Sequence, residues 1–121
     1  MKTFFLFGAV FGGRGVAFGA FGAHALRASL TPEDLATFEI GVRYQLFHAL
    51  ALLAVAWAPT QWDASTVTVA GWAFVIGIVV FSGSLYTLVL TGQRWLGAIT
   101  PIGGVAFIVG WALLAWTAFR S

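Results

Sequence analysis

Four stretches of this chain are long and apolar enough to cross a lipid bilayer, at about residues 4–26, 40–58, 67–90 and 96–119, and little lies between them. A helix needs about 20 apolar residues to cross the hydrocarbon layer. Only 8% of the 121 residues are charged and 60% are hydrophobic. A soluble domain carries roughly a quarter of its residues as charges, so this chain cannot surround a core with a hydrated surface. Within lipid, backbone groups must bond to one another, which leaves helices or a closed barrel. The apolar runs have helix length, and the short connections between them make neighbours antiparallel. The expected fold is therefore all-α: a single domain over residues 1–121, an integral membrane bundle of four antiparallel transmembrane helices, with the lipid bilayer as its surroundings.

Several function classes drop out. The net charge is +2 and the basic residues are scattered, so no nucleic-acid footprint is present. There is no cysteine, which removes disulfides and thiol chemistry. Lys2 followed by an apolar run, with Ala23-His24-Ala25 in small-x-small form, has features of a cleavable leader. The run is too long for one, and Arg14 interrupts its apolar part. It reads as a membrane span.

The first span carries Gly8, Gly12, Gly15, Gly19 and Gly22, spaced to form one straight stripe on a helix. Bare backbone lets a neighbouring helix approach closely, a main source of packing energy in membranes. Thr31-Pro32-Glu33-Asp34 has the signature of a helix start: a hydroxyl cap, a proline in the first position and acids in the first turn. The segment 32–40 is amphipathic, and Glu39 and Arg43 are spaced for an i,i+4 ion pair near the headgroups. Thr37, Gly41, Tyr44, His48, Ala51 and Val55 share a face that should point into the bundle. In the third span Ala70, Ala73, Gly77, Val80, Ser84, Thr87 and Thr91 repeat at three-four spacing. In the fourth, Gly97, Thr100, Gly104 and Trp111 lie on one side, and Pro101 should free a carbonyl and bend the helix. Gly77 and Gly104 are taken as packing positions alongside the first stripe.

Both termini and the 60–66 loop must share one side of the membrane. Trp57, Trp62, Trp116 and Phe119 gather there as an aromatic belt. Arg27, Arg43 and Arg94 lie on the other side, against Lys2 and Arg120. The positive-inside rule thus places the two tight turns in the cytoplasm by a margin of three to two.

Four ordered motifs carry a resemblance: Gly19-Ala20-Phe21-Gly22-Ala23-His24, Tyr44-Gln45-Leu46-Phe47-His48, Phe81-Ser82-Gly83-Ser84-Leu85-Tyr86, and Thr100-Pro101-Ile102-Gly103-Gly104 followed by Gly110-Trp111. Over nearly its whole length the chain resembles the small bacterial membrane family called domain of unknown function 423, whose relatives include the eukaryotic transmembrane protein 256. The resemblance implies a multi-pass protein of four spans in the bacterial cytoplasmic (inner) membrane, and no activity. It also implies an apolar residue where this chain has Arg14.

The polar residues of the spans converge on the tight-turn face: His24, Thr37, Tyr44, Gln45, His48, Ser82, Ser84, Tyr86, Thr87 and Thr100. Polar groups in lipid mark cavities or function. One reading is a polar cavity formed by His24, Tyr44, Gln45, His48, Ser84, Tyr86 and Thr100. The plainer reading is an interhelical hydrogen-bond network that sets helix register. His24 and His48 together suggest a metal or haem site, but no carboxylate or third ligand accompanies them. No metal or cofactor is assigned. Arg14 sits near the middle of the first span, where burial costs about 2.5 kcal/mol or more. An anion, a partner subunit, a carbonyl freed by Pro101, or Glu39 could offset that, as could snorkelling toward a headgroup. Ser82 and Ser84 have no carboxylate-oriented histidine base, so a hydrolase triad fails, and the chain reads as no enzyme. The leading expectation is a non-enzymatic structural or accessory component packing with copies of itself or with other membrane subunits. The alternatives are a minimal transporter or channel lined by Tyr44, Gln45 and His48, and a haem- or metal-binding redox accessory using His24 and His48.

Overall fold

The computed structural model describes residues 1–121 and is built from helices, with no strand. The four long helices are α1 (Lys2–Leu26), α2 (Pro32–Thr60), α3 (Ala64–Thr91) and α4 (Arg94–Phe119). Each is long and apolar enough to cross a membrane, with mean hydropathy between 1.4 and 2.2.

The helix ends follow from local chemistry. Thr31 Oγ1 accepts the Asp34 amide at 3.1 Å and Pro32 occupies the first turn, which opens α2. Asp63 accepts the Ser65 amide at 3.0 Å and so starts α3 at Ala64. The Ser65 amide and hydroxyl, then Arg120, hold the Asp63 carboxyl below the usual carboxylate range. At the end of α3, Gly92 takes a φ of 75°, a left-handed conformation open to glycine.

Ion pairs close the two ends of the bundle. Arg94 meets Asp34 at 2.8 Å beside the tight turns, and Arg120 meets Asp63 at 2.6 Å beside the termini. The expected Glu39–Arg43 pair does not form: both side chains are exposed on α2 and neither has an ionic partner. Such a pair gains little for the freedom two long side chains lose. Arg43 can instead extend along the apolar surface toward the headgroups.

The helices pair in sequence. Gly8 lies against Ala49 and Leu53, Gly12 against Ala49, Gly15 against Leu46 and Gln45, Gly19 against Val42, and Gly22 against Phe38. All five α1 glycines therefore face α2, and the numbering runs in opposite senses. Between α3 and α4, Gly77 faces Phe107, Gly103 faces Phe81, and Gly110 faces Phe74, again in opposite senses. The pair α2 and α3 forms the centre: 44% and 50% of their most apolar windows are buried, against 17% for each of α1 and α4. A core of Phe4, Leu52, Val55, Val67, Phe74 and Phe107 fills the terminal half, and Phe38, Val42, Leu88 and Val89 fill the turn half.

Two stripes expected on straight helices are displaced. In α3 a π-helical turn at Ile78–Ser82 inserts one residue into the ladder. Of the expected stripe Ala70, Gly77 and Ser84 are buried, and the buried face also takes in Phe74, Ile78, Ser82, Leu85, Leu88 and Val89. Thr87 and Thr91 are exposed and donate to the carbonyls four residues earlier, at 2.8 and 2.5 Å. In α4 the segment Arg94–Ala98 is a 3-10 turn, whose tighter winding changes the phase of the helix beyond it. Gly103, Phe107, Gly110 and Thr117 are buried, while Gly97 is exposed and Gly104 lies at the edge of the Phe81 ring. Pro101 stands in the first α-helical turn, where its missing N–H has no partner to lose. It therefore opens this helix and frees no carbonyl in mid-span. A second π-helical turn, Phe18–Gly22, interrupts α1.

Candidate functional site

His48 lies on the inner face of α2 and is 5% exposed. Its Nδ1 stands 2.7 Å from the Tyr44 carbonyl, and its Nε2 stands 3.0 Å from Trp111 Nε1 on α4. A carbonyl can only accept and an indole can only donate. Nδ1 therefore carries the proton and Nε2 accepts, an assignment made from the partners. The ring stacks on Phe107 with centroids 3.6 Å apart. Both nitrogens of a neutral imidazole are thus engaged.

His24 is exposed near the end of α1 and makes no side-chain hydrogen bond. Its neighbour Gly22 faces Phe38, which precedes His48 by ten residues on α2, a rise of about 15 Å. The two histidines do not share a site, and no group of three metal-ligating side chains occurs.

The other polar residues form separate locks. Gln45 Nε2 donates to the Phe11 carbonyl of α1 at 2.9 Å, and Gln45 Oε1 accepts the Tyr86 hydroxyl of α3 at 2.7 Å. Ser82 Oγ donates to the Gly41 carbonyl at 2.7 Å. Ser84 Oγ meets Thr100 Oγ1 at 2.6 Å, joining α3 to α4. Tyr44 is 38% exposed and stacks on Phe81 with centroids 4.7 Å apart. No cavity is lined by Tyr44, Gln45 and His48 together. No buried side-chain nitrogen or oxygen lacks a partner. Sequence spacing did not identify Trp111 or Ser82 as partners, since each bond joins residues far apart in the chain and leaves no periodic trace.

Gln45 alone links three helices, which makes it testable. Gln45→Leu should lower stability by about 1 kcal/mol, since interhelical hydrogen bonds in membranes average about 0.6 kcal/mol each. Combined with Tyr86→Phe the loss should be smaller than the sum of the two single losses. Unfolding by sodium dodecyl sulfate titrated into dodecyl maltoside micelles reads both.

Arg14 differs from all of these. It makes no ion pair and no hydrogen bond within the chain, and its guanidinium carbon stands 5.7 Å from the centre of the Phe18 ring. It lines a groove of about 200 Å³ with Phe11, Gln45, Val79, Ser82 and Tyr86, roofed by neither Glu39 nor Pro101. One π-helical turn borders the groove, through Ile78, Val79 and Ser82. Such turns are frequent at functional sites.

A family model described as "Protein of unknown function (DUF423)" matches residues 18–104. The chain is 44% identical over 121 residues to the UPF0382 membrane protein YwdK of Bacillus subtilis (strain 168), covering 99% of this chain and 98% of that protein. It is 46% identical over 120 residues to the UPF0382 membrane protein SSP2132 of Staphylococcus saprophyticus, covering 99% of each. Over 120 residues it is 44% identical to the UPF0382 membrane protein SAB0533 of Staphylococcus aureus (strain bovine RF122 / ET3-1), covering 99% of this chain and 98% of that protein. No solved structure matches.

Proposed function

Because the chain belongs to the DUF423 family of proteins of unknown function, whose relatives are bacterial membrane proteins, we propose that it is a non-catalytic component of the bacterial inner membrane that acts by associating with copies of itself or with other membrane subunits. The observation that carries this reading is the saturation of the buried polar groups. His48, Gln45, Ser82 and Ser84 all bond to other helices, and each bond ties two helices together. Their use is to fix one arrangement of helices.

Placement in the inner membrane is supported by the form of the spans, since outer-membrane proteins typically cross as β-barrels. Association is supported by the connections between helices, which are only two to five residues long. Work by these helices must be exerted sideways, through α1 and α4, whose outer surfaces are largely uncovered.

Affinity capture of a tagged chain from membranes in a mild detergent tests the reading. A fixed stoichiometry, with a second copy or another membrane subunit, is the expected result. Recovery of monomer alone, before and after chemical crosslinking in intact membranes, would overturn it.

A further inference from the structure

Arg14 lies at the midpoint of α1. It is twelve residues from either end of α1. Its neighbour Gly15 faces Leu46, eleven residues from the interfacial Trp57, a rise of about 16 Å. The opposite end of α1, twelve residues away, is a rise of about 18 Å; both distances exceed the reach of an arginine side chain, so the guanidinium stays in the hydrocarbon layer. An arginine held there needs a compensating charge or hydration.

No acid of this chain supplies it. Asp34 and Asp63 are taken by Arg94 and Arg120 at the two ends. Glu33 and Glu39 lie toward the start of α2, near or beyond Phe38, which is level with Gly22. Gly22 is eight residues from Arg14, about 12 Å in depth. A second copy in the same orientation carries its acids at the same depths, so self-association does not neutralise Arg14 either.

The groove also limits the shape of a counter-ion. Ser82 already donates to the Gly41 carbonyl and Tyr86 to Gln45, which leaves the guanidinium as the main donor. A planar fork of N–H groups matches a carboxylate in two parallel bonds. Phe11, Ile78 and Val79 give the groove an apolar wall, and Val79 is 58% exposed toward lipid. The groove of about 200 Å³, open at one side, has room for a carboxylate and the first part of an alkyl chain.

We propose that the groove between α1 and α3 binds a long-chain carboxylic acid from the bilayer, its carboxylate paired with Arg14 and its chain lying along Ile78 and Val79. The site stands apart from the association reading, because it needs one copy of the chain only.

The test uses delipidated full-length protein in dodecyl maltoside and follows thermal unfolding with added oleate. Oleate should raise Tm by about 5 °C or more when well above its Kd. Oleyl alcohol has the chain without the charge, acetate has the charge without the chain, and dioleoyl phosphatidylglycerol has a phosphate head. Each should give less than a fifth of that shift. Arg14→Gln should abolish the oleate response; it removes a charge from the membrane and so favours insertion. Val79→Trp keeps the charge but fills the groove, and should abolish the response as well, so the two variants check each other. An equal oleate shift in both variants would overturn the proposal. So would a shift of the same size from the alcohol, acetate or phospholipid. A photo-crosslinker at Val79 in whole membranes should capture lipid; capture of another polypeptide through this groove would assign Arg14 to a subunit contact instead.

Discussion

Gly103→Ala should lower the stability of the bundle by about 3 kcal/mol, the upper part of the range for overpacking. A methyl group on Gly103 would run into the backbone nitrogen and Cα of Phe81. Backbone cannot rotate aside as the tip of a side chain can, so α3 and α4 must separate along their length. Dispersion contacts fall off quickly with separation, and packing is a large part of what joins helices in lipid. Gly13→Ala is the control, since its methyl meets nothing within 4 Å. It should leave stability unchanged within about 1 kcal/mol. Detergent unfolding followed by tryptophan fluorescence compares the two, and equal midpoints would refute the close α3–α4 contact.

His48→Ala should lower stability by about 3 kcal/mol, in the range for emptying a packed core position. The hydrogen bond is the smaller part of that loss. Trp111→Phe removes the same Nε1–H donor yet keeps an aromatic ring, and should reduce stability by about 0.6 kcal/mol. The larger part is the stacked contact with Phe107 and the tilted one with Phe74, centroids 3.6 and 5.5 Å away. If the two variants lose the same amount by the same unfolding measurement, the histidine is held by its hydrogen bond and the packing explanation fails.

The four helices and their membrane setting were legible in the sequence because apolar run length survives every local detail of winding. The glycine stripe of α1 was legible for the same reason up to Gly22: its contacts with α2 follow the four-three steps throughout. The inner face of α3 was legible through Ala70, Gly77 and Ser84 but not at its end. A π-helical turn leaves no mark in hydropathy, and one inserted residue moved Thr87 and Thr91 from the expected inward face to the surface. In α4 the 3-10 turn leaves Gly97 exposed, and the closest contacts with α3 fall on Gly103 and Gly110, with Gly104 at the margin. The polar residues were visible as a group, but their pairing was not. Gln45 and Tyr86 are 41 residues apart, and His48 and Trp111 are 63 apart, so no local pattern could join them. Arg14 was legible as a midpoint charge, while its neighbours Gln45, Ser82 and Tyr86 appear only when α1, α2 and α3 are brought together.

Each hairpin, α1 with α2 and α3 with α4, is lined by several glycines along its length, while the seam between α2 and α3 has Gly41 against Tyr86 and is crossed by polar bonds. A nascent chain threading into the bilayer can therefore complete its first hairpin before the second has left the ribosome. Each hairpin carries its own glycine-lined contact, and assembly then reduces to docking two finished halves. The polar locks that cross the seam act last, selecting the single register in which Gln45, Tyr86, His48 and Trp111 all find their partners.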